Sequence, residues 1–131
     1  MTEDYIAIMF GFTEAVHGSG PDTVPVTTAE DAAEAIADNA ELEILDQSPS
    51  QVAGLEGVVI EVENRGDTGI AVMEVAPGTL QLEADRRLWT SLLDAPEGVL
   101  AIMISARIAA WEEAIAAAEP VLASVQIVRP P

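Results

Sequence analysis

Residues 58–83 read VVIEVENRGDTGIAVMEVAPGTLQLE, and the period of this stretch decides the fold class. Val58, Ile60 and Val62 alternate with Val59, Glu61 and Glu63, the two-residue period of a strand that turns one face to a core. Asn64 to Gly69 is dense in turn formers and Ile70 to Val75 is a second apolar run. The two runs are therefore expected to pair as an antiparallel hairpin. Pro77-Gly78 turns the chain again, and Leu80 and Leu82 then alternate with Thr79, Gln81 and Glu83. A β-meander is the economical reading.

Downstream the pattern continues. Arg87 to Leu93 places Leu88, Thr90 and Leu92 on one face, Asp94 to Gly98 (DAPEG) closes a hairpin, and Val99 to Ala106 is apolar throughout, as in a central strand covered on both faces. Ile108, Trp111, Ile115, Ala118, Leu122 and Val125 then recur at alternating three and four, which predicts a long amphipathic helix, kinked at Pro120 where a helical hydrogen bond is lost. Gln126 to Val128 reads as a short final strand.

Upstream, Gly54 and Gly57 bracket a turn, and Leu42 and Ile44 suit a strand running toward Pro49, a residue confined to an edge or a break. Thr28 and Asp31 resemble a capping box, so a helix should begin near Ala29, with Ala29, Ala32, Ala33, Ile36, Ala37 and Ala40 as its buried stripe. His17 to Thr28 is rich in Gly, Pro, Ser and Thr and reads as the longest loop. Tyr5 to Phe12 (YIAIMFGF) reads as a buried strand. The expected architecture is one α+β domain, residues 1–131, with an antiparallel sheet of about six or seven strands packed by two helices.

At 131 residues, half of them hydrophobic and 21% charged, the chain can bury a core without staples. With no Cys, disulfides and thiolate chemistry are excluded. The apolar run Gly98 to Ala106 is too short to cross a bilayer, which takes about 20 residues, so no membrane span is expected. Met1-Thr2-Glu3-Asp4 is acidic where an export signal is basic, and the chain reads as cytoplasmic or as a mature piece of an exported protein. Asp and Glu number 23 against 5 Lys plus Arg, for a net charge of -18. Such a surface repels nucleic acid and anionic lipid. It is read as a solvating surface in a GC-rich genome or as an adaptation to high salt.

The segment Val52-Ala53-Gly54-Leu55-Glu56-Gly57 before VVIEVE, the run Arg86-Arg87-Leu88-Trp89, and the stretch from Trp111-Glu112-Glu113 through Glu119 to Ile127 together resemble the PsbP-like α/β sandwich superfamily. That superfamily includes extrinsic photosystem II subunits and many actinobacterial lipoproteins. The likeness covers most of Leu42 to Val128. It implies an extracytoplasmic accessory or binding module rather than an enzyme.

No catalytic, cofactor or metal motif stands out. His17, the only His, neighbours Ser19, but adjacent loop residues rarely have the geometry for proton transfer. Glu41, Glu43, Glu61 and Glu63 could cluster as acid and base of a small hydrolase or as oxygen ligands, against the plainer reading of a solvated strand face. Of Arg86 and Arg87, neighbours on a strand, one should meet a carboxylate network and one solvent. Spacing puts Trp111 in the core stripe and Trp89 opposite Leu88 and Leu92, where it can meet a ligand. Trp89, Arg87 and His17 are the expected contact residues of a non-enzymatic domain that binds a small ligand or a protein. A self-pairing subunit, a homodimer through an edge strand or apolar patch, is the third reading.

Overall fold

A computed structural model describes residues 7–18, 22–75 and 78–123. Eight strands and two helices follow in the order β1 (Ala7–His17), β2 (Thr23–Pro25), α1 (Ala29–Ala37), β3 (Glu43–Val52), β4 (Leu55–Asn64), β5 (Ile70–Val75), β6 (Gly78–Leu82), β7 (Arg86–Ala95), β8 (Gly98–Arg107) and α2 (Trp111–Ala123), with a 3-10 turn at Ile108–Ala110 leading into α2. The class is the α+β expected, with one strand more than the upper expectation. The additional strand is β2, inside the stretch read as loop. It pairs antiparallel with the end of β1, Val24 facing Val16. The expected strand at Gln126 to Val128, the stripe residue Val125, and Ser19 lie outside the described residues.

The sheet runs β3-β4-β7-β8-β1-β5-β6, with β2 beside β1, and each of its pairings is antiparallel. The DAPEG hairpin forms between β7 and β8, and β8 is central, as its unbroken apolar run requires. The expected hairpin of Val58–Glu63 with Ile70–Val75 does not form. β4 pairs with β3 and β7, whereas β5 pairs with β1 and β6. The turn-rich segment after Asn64 is thus a crossover between non-neighbouring strands. Asn64, fully buried, holds it: its side-chain amide donates to the Thr68 and Leu82 carbonyls at 2.7 and 2.9 Å, and its side-chain oxygen accepts from the Gly66 amide at 3.0 Å.

This order forces the sheet to roll. β6 and β7 are four strand spacings apart, about 19 Å in a flat sheet, yet only residues 83–85 join them, and four Cα steps reach at most about 14 Å. The roll encloses α1. Ala29, Ala32, Ala33 and Ile36 pack with Val16, Ile60, Val62, Val72, Leu88, Leu92 and Met103 in one cluster. Alanines on the inward face let the nine-residue helix sit close to the strands, which explains the Ala stripe; Ala40, past the helix end, is exposed.

Two caps fix α1. The Thr28 hydroxyl accepts from the Asp31 amide at 3.1 Å, as the sequence predicts, and the Asp94 carboxylate at the β7–β8 corner accepts from the Ala29 amide at 2.8 Å. A carboxylate at this end also complements the helix dipole. On the other face of the sheet α2 lays Trp111, Ala114 and Ala118 over Ile104 and Ala106, with Ile8, Trp89 and Ile115 at the margin. Pro120 lies inside α2.

Pro49 sits in β3, an edge strand, which is the edge placement allowed to it. The β3–β4 turn is two residues long, Ala53 and Gly54, with φ of 52° and 85°. Two positive φ values in a two-residue loop are the type I′ pattern that matches the strand twist.

Candidate interaction site on the first strand

The two residues nominated on β7 come together, but in a filled place. Glu61 and Glu63 on β4 stand opposite Trp89 and Arg87, and Glu43 on β3 stands opposite Glu63. Arg87 Nη2 donates to Glu61 Oε2, and its Nη1 lies 3.8 Å from Glu63 Oε2. Arg65 Nε donates to Glu63 Oε1 at 2.7 Å and forms an ion pair with Glu43 at 2.5 Å. Glu63 is only 3% exposed, so its charge is carried by these two arginines. The Arg87 guanidinium also lies 4.9 Å from the centre of the Trp111 ring, a cation–π contact. The cluster fastens α2 to the sheet, and its carboxylates are engaged by arginine rather than facing one another across open space.

Arg86 departs from the expectation that one arginine of the pair meets solvent. It is buried, donating from Nε to Ser105 Oγ at 3.1 Å and from Nη2 to the Ser105 carbonyl at 2.9 Å. Trp89 is half-buried at the margin of the α2-side cluster.

His17 lies elsewhere, at the end of β1. Its Nε2 is 2.8 Å from Glu74 Oε2 on β5, and Thr79 on β6 donates to the other Glu74 oxygen at 2.9 Å. These hydrogen bonds, His17 first and Thr79 second, lower the Glu74 pKa below its ordinary value of 4.5. His17 also borders a shallow cleft of about 280 Å³ with Gly18, Asn39, Glu41 and Ile70. Asn39 spans it, donating to the His17 carbonyl at 3.4 Å and accepting from the Glu41 amide at 3.0 Å. Glu41 does not join Glu43, because it precedes the strand. Among the described residues no group of three metal-ligating side chains is assembled.

The first half of β1 is different in kind. Ile8, Phe10 and Phe12 share the α2 face, opposite Ile104, Ile102 and Leu100 of β8. Ile8 reaches α2, whereas Phe10 and Phe12 remain 51% and 44% exposed. Met9, on the α1 face, lines two neighbouring clefts along the side of β1. One, about 190 Å³, is walled by Leu80, Leu82, Leu88, Glu83, Arg86 and Ser105; the other, about 260 Å³, by Phe10, Val75, Thr79, Leu80 and Met103.

No family model, curated protein or solved structure matches this chain. Its own geometry therefore carries the functional reading. Two phenylalanines side by side in water lose the transfer free energy of burial, roughly 1.5–3 kcal/mol for each full side chain, and adjacent exposed aromatics characterise interaction surfaces.

The sequence reading missed Phe10 and Phe12 because YIAIMFGF is apolar on both faces and looks like an interior strand. No local pattern distinguishes a strand covered on both faces from one whose outer face is left bare.

Proposed function

We propose that this chain is a non-enzymatic accessory or binding domain that engages a protein partner through the first half of β1, with Phe10 and Phe12 as its anchors. The observation that carries the reading is the exposure of both rings on one strand face, 51% and 44%, the two most exposed large apolar side chains among the described residues. The resemblance of Leu42 to Val128 to PsbP-like sandwiches, mostly accessory or binding modules, supports the same reading. So does the engagement of the Glu61 and Glu63 carboxylates by arginine, which suits attachment of α2 better than hydrolysis.

The test is to separate folding from contact. Replacing both rings with a polar strand former, Phe10→Thr with Phe12→Thr, should leave unfolding free energy within about 1 kcal/mol of the parent, the range of two surface substitutions. A loss of about 3 kcal/mol or more, typical of removing a buried aromatic, would show the rings to be core and end the reading.

A further inference from the structure

The edge of β1 supplies the chemistry of the partner. Over Ala7 to Thr13 the strand pairs with β8 on one side. On the other side β5 is in register only from Thr13 to Val16, across an irregularity between Thr13 and Ala15. Among the described residues no strand lies along Ala7 to Phe12 on that side. The β5–β6 hairpin departs at Gly11, where a side chain would collide with Val75, and the two clefts open below it.

The other strand edges carry the usual protection against pairing. β3 has Pro49, the acidic residues Glu43 and Asp46, and an irregularity between Ile44 and Asp46. β6 is five residues long and β2 three, ending in Pro25. The Ala7–Gly11 edge, AIMFG, has neither a charge nor a proline.

We infer that this edge accepts an extended segment of a partner protein as an added antiparallel or parallel strand, and that the segment alternates apolar with cationic side chains. The inference rests on the partner-binding reading above and narrows it. Strand addition takes affinity from main-chain hydrogen bonds and specificity from alternate side chains. One set of side chains would enter the clefts at Met9, Leu80 and Met103, which suits apolar groups. The other set would lie beside Phe10 and Phe12, whose ring faces attract Lys or Arg. The whole-chain charge of -18 steers a basic segment in and repels a second copy, which brings the same charge.

The probe is a fluorescein-labelled octapeptide of alternating Val and Arg, titrated into the full chain by fluorescence anisotropy at 0.15 M salt. Two controls accompany it: the same peptide with its internal amides N-methylated, and one with Glu in place of Arg. Binding should weaken at least tenfold on N-methylation and disappear with Glu, and amide chemical-shift changes should concentrate at Ala7 to Phe12. Equal binding of the N-methylated peptide overturns strand addition. If that binding still falls with the Phe10→Thr and Phe12→Thr changes, the aromatic surface stands without the added strand; if it does not fall, both readings fail. A dimer in light scattering whose interface is this edge would also overturn the inference, because the occupant would be a second copy.

Discussion

Arg87 shows how one side chain can hold two layers together. It reaches the Glu61 and Glu63 carboxylates on β4 and stacks on Trp111 of α2. Removing one partner of a buried pair costs about 3–5 kcal/mol; Arg87 is a quarter exposed, so Arg87→Ala should cost about 2 kcal/mol in urea unfolding. Arg87→Lys should recover less than half of that, because an ammonium offers neither the planar fork nor the stacking surface. Full recovery with Lys would mean that point charge alone matters. That one of the two neighbouring arginines joins a carboxylate network was legible from the abundance of Glu, but not which one, and the burial of Arg86 against Ser105 on the neighbouring strand was not legible at all.

Glu74 makes stability depend on pH. Its folded pKa lies below 4.5, so it contributes stability that is fully present above 4.5 and is lost as the pH falls through the folded value. Below pH 4.5 the melting-temperature difference between the parent and Glu74→Gln should therefore shrink on further acidification. A difference that widens toward acid would contradict the His17–Glu74–Thr79 arrangement.

Among the elements, the β3–β4 turn carries a residue unsuited to its conformation. Ala53 sits at φ 52°, which costs a non-glycine residue about 1 kcal/mol, and Asn is favoured at that position of a type I′ turn. Ala53→Asn should raise stability by about 0.5–1 kcal/mol in chemical unfolding; a loss would mean that the turn is of another type. Strand and helix positions were readable because a strand half in the core repeats every two residues and α1 carries its Thr28 cap. Partner choice was not. The segment Asn64 to Gly69 has hairpin composition, yet the buried amide of Asn64 binds Leu82, 18 residues on, and turns the segment into a crossover. The Asp94 cap on α1 is equally nonlocal, set by a hairpin 65 residues away.

For the whole molecule, the roll and the charge act against each other. The roll concentrates apolar surface around α1, while a net charge of -18 on 131 residues makes the compact state repel itself. Added salt screens that repulsion, with a Debye length near 10 Å at 0.1 M and about 3 Å at 1 M. The melting temperature should rise by several degrees between about 0.02 and 0.5 M sodium chloride. A fall would place the carboxylates mainly in favourable ion pairs. The charge and its consequence were plain in the composition, but that the uncharged first half of β1 lacks a described neighbour on one side becomes visible only when the sheet order is known.

Among the described residues no strand flanks Ala7 to Phe12 on the side away from β8, and amide hydrogen exchange across Ile8 to Phe12 in the unliganded chain reads directly whether that edge is free to pair. Only alternate residues of a strand point their N–H groups to a given edge. A free edge gives an alternating pattern, with amides bonded to β8 protected and the intervening ones exchanging rapidly. Uniform protection along the segment would mean that the edge is already covered and closed to a partner strand.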